Sequence, residues 1–158
     1  MRKSDFEQLY MALYPGLYRL ALSILRREAD AQDAVQQAAV NAWAAADRMK
    51  PGGEKAYISR VVINECRNIQ RHRLRIFPME KPEDTPDPAC PDSELKAVVD
   101  SLPETLRLPL LLRYMEGYSE KETAGILRIP LNTLKARLKR ARAKLRDEWI
   151  ETFGKSYL

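Results

Sequence analysis

Six cations, Lys135, Arg137, Lys139, Arg140, Arg142 and Lys144, crowd the stretch IPLNTLKARLKRARAKL between Ile129 and Leu145, which contains no acid. A row of side chains of this kind offers no nucleophile and no general base. What it can do is neutralise a polyanion. Solvated helix faces ordinarily mix charges, so that pairs form at i,i+4. Here the first acids are Asp147 and Glu148, past the end of the run. Leu131, Leu134, Leu138, Ala141 and Leu145 recur at spacings of three and four, which predicts an amphipathic helix docked on a core by one face. Thr133 is expected to cap it, and Pro130 to stop the segment before it.

Other chemistry is sparse. The chain has one histidine, His72, between Arg71 and Arg73, and two cysteines, Cys66 and Cys90, with no CxxC pair. A structural zinc site takes roughly four Cys/His ligands at characteristic spacings, so neither metal nor cofactor is expected. Cys66 lies in a helical pattern and is expected to be a small, buried or half-buried side chain. No nucleophile–base pair and no glycine-rich phosphate loop is visible, and the expectation is a protein that is not an enzyme. No apolar run approaches the roughly 20 residues of a membrane span, and Met1–Leu9 is too polar for a secretory signal. The expected location is the cytoplasm, with no insertion into a membrane.

The elements that must present the basic face follow from charge and periodicity. Residues 1–75 hold 13 Lys/Arg against 8 Asp/Glu, residues 76–94 one Lys against 6 acids, and residues 95–158 again 13 against 8. Two basic modules thus flank an acidic connector. Its core, FPMEKPEDTPDPACPD from Phe77 to Asp92, has five prolines and no apolar period, which favours an extended tether. Fully stretched, it would reach roughly 55 Å at about 3.3–3.6 Å per residue.

Everything else reads as helix. A first helix opens on a capping box of Ser4 and Glu7, runs to about Arg27 and is expected to bend at Pro15. A second, rich in alanine, spans about Asp30 to Asp47, and KPGG at Lys50–Gly53 ends it. A third runs from Glu54 to about Leu74, with Tyr57, Val61, Val62 and Ile69 as candidate core positions. Past the tether, Glu94–Leu102 is short, and Pro103 opens a helix to about Glu116 from its first turn. Gly117 breaks that helix. Ser119 and Glu122 form a second capping box, launching Glu120–Leu127. The turn RIPLN leads into the basic helix, and Ala124 is small where the two helices approach. Two short helices with a tight turn, the second basic, make a helix-turn-helix, and the polyanion is then duplex DNA. The expected class is all-α: two small helical domains, 1–75 and 94–158, joined by a flexible linker, 76–93.

This arrangement resembles an extracytoplasmic-function (ECF) sigma factor of the sigma-70 family along nearly the whole chain. DAQDAVQQAAVNAW and AYISRVVINECRNIQRHRLR resemble the family's region 2, and LPETLRLPLLLRYMEGYSEKETAGILRIPLNTLKARLKRARAKL its region 4. Three departures stand out: Gln37 where a Glu is common, Asn132 at a usual Gly of the turn, and Ala136 at a usual Ser.

The resemblance implies a protein that binds RNA polymerase core, through the large-subunit clamp helices and flap, and directs it to promoter DNA. Asp30, Asp33, Gln36 and Gln37 would meet the polymerase. Asn64, with Ala45 and Met49 as pocket walls, would take an unstacked base of the −10 element, while Arg60, Arg67, Arg71 and Arg73 track phosphates. Trp43 is expected in the core. Lys135, Ala136 and Lys139 would reach bases of the −35 element, and Arg113, Ser119, Thr133, Arg137 and Arg140 the backbone. Arg142, Lys144 and Arg146 would face solvent or add only weak electrostatic attraction. An external anti-sigma factor is also implied. Three alternatives stay open: a stand-alone helix-turn-helix regulator that never enters the polymerase, an RNA-binding or anti-termination adaptor, and a purely structural helical interaction protein.

Overall fold

The computed structural model describes residues 2–78 and 93–153, and the chain divides into two compact units, Met1–Thr85 and Pro86–Leu158. Among the described residues every regular element is a helix. Most of the acidic tether, including Cys90, and the last five residues of the tail lie outside them.

The first unit packs three helices, α1 (Lys3–Leu25), α2 (Glu28–Ala44) and α3 (Glu54–Ile76), with a 3₁₀ turn at Ala46–Arg48. The alanines of α2 explain the geometry. Ala31, Ala34, Ala38 and Ala42 are buried with Val35, and side chains this small let α1 and α3 approach closely. Their partners are Phe6, Tyr10, Leu17, Leu20, Ala21, Ile24 and Leu25 of α1 and Ile58, Ser59, Val62, Ile63 and Cys66 of α3. The buried Tyr10 hydroxyl donates to the Val35 carbonyl over 2.5 Å. Burial, and then the neighbouring Tyr14, push this phenol above its ordinary range.

Several expectations are corrected here. The Ser4–Glu7 box does not open α1: the N-cap is Arg2, without a side-chain hydrogen bond, and Ser4 is already inside the first turn. As expected, the helix continues through Pro15, which is exposed. It ends at Leu25, where Arg26 turns left-handed. Of the four core positions predicted for α3, only Val62 is fully buried; Tyr57, Val61 and Ile69 are half-buried. Apolar residues are adjacent at 57–58 and 61–63, so the stripe could be drawn in two phases, and packing against α2 selects the one through Ile58. Trp43 is 40% exposed, with one side covered by the Phe6 ring at 5.4 Å between centroids.

The second unit contains α4 (Ser93–Asp100), α5 (Glu104–Leu110) continued by a π-helical turn (Leu111–Met115), α6 (Glu120–Leu127) and α7 (Leu131–Phe153). Pro103 is the N-cap of α5 and not its first helical residue. At this corner the sequence hides its strongest structural polar group. Arg107 is 3% exposed, and its guanidinium donates to the carbonyls of Leu102 (2.7 Å) and Asp100 (3.5 Å), acceptors left open where α4 ends. Pro109 follows inside α5, and the chain then widens: the amide of Glu116 bonds the Leu111 carbonyl, five residues back. Gly117, at φ 76°, turns the chain into α6.

Leu134, Leu138 and Ala141 are buried where α7 packs on α4, α5 and α6. Leu131 and Leu145, at the ends of the predicted stripe, are only partly covered.

Candidate nucleic-acid interface

The helix-turn-helix is α6 and α7, and its entry is the capping box read from sequence. The Ser119 hydroxyl accepts from the Glu122 amide (3.1 Å), and the Glu122 carboxylate accepts from the Ser119 amide (3.1 Å). The cap uses a lone pair of the hydroxyl oxygen, so its proton stays available to a phosphate. Ser119→Ala is expected to destabilise the second unit by about 1 kcal/mol. Ser119→Asp keeps the cap but sets a carboxylate where it would repel a phosphate. Thermal melts should separate the two variants, while both should bind DNA more weakly.

The turn between the helices is made differently from expectation. The left-handed residue is Arg128, at φ 57°, and the Ile129 amide closes back onto the Ala124 carbonyl (3.0 Å). Asn132 lies inside the first turn of α7 and has no positive φ. Thr133 is not a cap, because α7 already starts at Leu131 and the Leu134 amide bonds the Pro130 carbonyl. Ala124 is buried, as its small size at the approach of the helices requires.

On α7, Lys135, Ala136, Lys139 and Arg140 are exposed, and Thr133 and Arg137 are half-exposed. Buried Leu134, Leu138 and Ala141 hold the opposite side down. Two further arginines are held by their own unit. Arg113 donates to the Tyr118 carbonyl (3.4 Å) and lies 5.4 Å from the centre of the Tyr114 ring. Arg142 is exposed, as expected, and donates to the Tyr114 hydroxyl (2.9 Å). Nothing in the spacing of residues 114 and 142 could have signalled that contact.

In the first unit, Arg60, Asn64, Arg67 and Arg71 share one face of α3, at intervals of four, three and four. Asn64 and Arg71 are exposed, Arg60 and Arg67 half-buried. Arg71 donates to the Asn68 side chain, a neighbour on the same face that sequence reasoning passed over. Met49 is half-buried at the end of the 3₁₀ turn, whereas Ala45, which starts that turn, is 7% exposed and shapes the chain path from beneath.

The four residues of the α2 face separate. Asp33, Gln36 and Gln37 are exposed along one stripe. Asp30 instead pairs with Arg73 of α3 at 2.5 Å, its side chain only 13% exposed. This ion pair gives Asp30 and Arg73 an internal task, clamping the start of α2 to the end of α3, besides the polymerase and phosphate contacts expected of them.

No described helix is long and apolar enough to cross a membrane, and no group of three metal-ligating side chains occurs among the described residues.

Comparison with known proteins agrees with this geometry. The family model for sigma-70 region 2 matches residues 9–76, and that for sigma-70 region 4 matches residues 92–145. The chain is 31% identical over 147 residues to the ECF RNA polymerase sigma factor SigM of Mycobacterium tuberculosis, covering 89% of this chain and 74% of that one. It is 30% identical over 144 residues to the ECF RNA polymerase sigma factor SigE of Mycolicibacterium smegmatis, covering 83% of this chain and spanning 56% of that longer relative. Among solved structures, the sigma factor RpoE of Bartonella quintana, in complex with the anti-sigma factor NepR, superposes with a TM-score of 0.79 at 26% identity, over 91% of this chain and 96% of that one. CnrH, in complex with the cytosolic domain of CnrY, gives a TM-score of 0.70 at 26% identity, over 92% and 88%. With both regions present in the family's order, the chain belongs to the ECF sigma factors of the sigma-70 family.

Proposed function

We propose that this protein joins RNA polymerase core in the cytoplasm and directs it to promoters by reading a −10 element with the first unit and a −35 element with the second. The observation that carries this reading is the outward row Lys135, Ala136, Arg137, Lys139 and Arg140 on a helix whose other side is buried. Lys135, Ala136 and Lys139 face base edges, and Arg137, Arg140 and Ser119 hold phosphates. Arg113 and Thr133 support the approach to the backbone. Phosphate contacts of this kind supply affinity and salt dependence, while base contacts discriminate by about 1–3 kcal/mol for each good bidentate pair.

Asn64 takes the unstacked −10 base, Arg60, Arg67 and Arg71 follow its strand, and Asp33, Gln36 and Gln37 dock on the polymerase clamp. The protein catalyses no reaction itself; it lends recognition to the polymerase. Two structural relatives were solved with another protein bound, RpoE with the anti-sigma factor NepR and CnrH with the cytosolic domain of CnrY, and an anti-sigma factor is the natural partner here.

Run-off transcription with purified core polymerase from the same organism, on a genomic fragment library, tests the reading. Discrete new 5′ ends sharing −10 and −35 elements are expected. Folded protein that binds DNA but yields no initiation would mark a stand-alone regulator.

A further inference from the structure

A polar chain crosses from α2 to α3 on the surface of the first unit. The Gln37 amide nitrogen donates to the Asn41 side-chain oxygen (3.1 Å), and the Asn41 amide nitrogen donates to the Glu65 carboxylate (2.6 Å). Gln37 and Asn41 are exposed and Glu65 is half-buried. Glu65 directly follows Asn64, and three and six residues further on come Asn68 and Arg71, which bond each other on the same face as Asn64. A carboxylate therefore borders the stripe of α3 that carries Arg60, Asn64, Arg67 and Arg71.

The direction of the chain matters. An ionised carboxylate only accepts, so Asn41 must present its nitrogen to Glu65 and its oxygen away. That oxygen then needs a donor, which Gln37 supplies and a Glu at the same position could not. Left unheld, the Glu65 side chain has the reach to swing over the neighbouring stripe. There it would stand within a Debye length, about 10 Å at 0.1 M salt, of any strand lying on it.

We infer that Asn41 is a positioning residue for the DNA-facing stripe of α3: it holds the Glu65 carboxylate against α2, out of the path of the −10 strand, and Gln37 fixes which way Asn41 points. The inference rests on the sigma-factor reading, since it takes the stripe to carry a nucleic-acid strand. It assigns work to two residues, Asn41 and Glu65, that touch neither base nor phosphate. It also gives the glutamine at position 37 a use inside the fold as well as on its outer face.

The test uses holoenzyme assembled from core polymerase and full-length protein, binding a promoter fragment with a pre-opened −10 segment. For Asn41→Ala, affinity should fall about three- to tenfold at about 50 mM salt, and the log–log salt slope should shrink by about 0.7, the share of one strand charge. The defect should accordingly narrow by about threefold toward 200 mM. Affinity for core should not change. Adding Glu65→Gln to Asn41→Ala should restore both affinity and slope, which a merely unfolding-prone variant would not do. An Asn41→Ala holoenzyme with unchanged affinity and slope, beside a wild type that initiates normally, would overturn the inference alone. A double variant as weak as the single one would overturn it as well. A wild type that yields no start sites with core overturns the sigma-factor reading, and this inference with it.

Discussion

Arg107→Ala should cost the second unit about 2–4 kcal/mol of stability, because two buried or half-buried carbonyls lose a charged donor and a cavity opens beside them. Arg107 is 3% exposed and bonds the carbonyls of Leu102 and Asp100 where α4 ends. A domain of this size carries only about 0.05–0.15 kcal/mol per residue, and a loss of this order leaves a large fraction unfolded at growth temperature. The effect should travel. Helices α4 and α5 both pack on α7, so loosening the corner between them releases the helix proposed to read the −35 element. Urea unfolding of the full chain, followed by amide exchange on α5 and α7, should show the second unit opening early while α1–α3 keep their protection. Arg107→Lys, which keeps the charge but not the fork, should fall between the two. A midpoint unchanged by Arg107→Ala would mean that the corner is held by something else.

The second large effect concerns opening of the DNA. Asn64→Ala should lower open-complex formation by about ten- to a hundredfold, equivalent to about 1.4–2.7 kcal/mol, while affinity for core stays as it was. The asymmetry follows from placement. Asn64 is exposed on α3, whereas the surface proposed for the polymerase, Asp33, Gln36 and Gln37, lies on α2. A carboxamide can donate and accept at once, which suits a base edge that has lost its partner. Removing it leaves the cost of extruding the base, a few kcal/mol, with less in return. Permanganate reactivity of thymines in the −10 region, together with a core-binding titration, would read the two quantities separately. An equal loss of both would contradict the role given to Asn64.

What could be read in advance was what acts over short stretches of chain. Ser119 and Glu122 are three residues apart, and both bonds of their capping box are made. The start of α3 at Glu54 and the middle of the α7 stripe, Leu134, Leu138 and Ala141, follow from a loop break and a period that need no tertiary knowledge. Ser4 and Glu7 have the same spacing, yet Arg2 starts the helix first, so a local signal can be pre-empted by its neighbours. The phase of the α3 core was ambiguous because apolar residues stand side by side at 57–58 and 61–63. What could not be read were partnerships between distant side chains: Asp30 with Arg73, Arg142 with Tyr114, Asn41 with Glu65, and Arg107 with the end of α4. Three of these recruit residues that composition alone would have assigned to solvent or to a ligand. Of the six cations counted on the basic helix, Arg142 already bonds Tyr114, and on α3 Arg73 is paired with Asp30, so a count of charges alone does not give the face available to DNA.

The widened turn at Leu111–Met115 carries a different lesson, about insertions and deletions. Its ring is closed from the Glu116 amide to the Leu111 carbonyl, one residue more than an α-helix would use. A π turn takes up one extra residue with little change of phase, so removing a single residue there would let the helix close with ordinary four-residue rings and leave the entry to α6 aimed nearly as before. Deleting one residue inside α6 has no such slack and would turn the rest of that helix by about 100°. Exposed Met115 should accordingly accept most replacements in a deep mutational scan, and its deletion should be tolerated better than a deletion in α6. This stretch holds one residue in reserve, and the aim of the basic helix is less sensitive to length here than in the helices on either side.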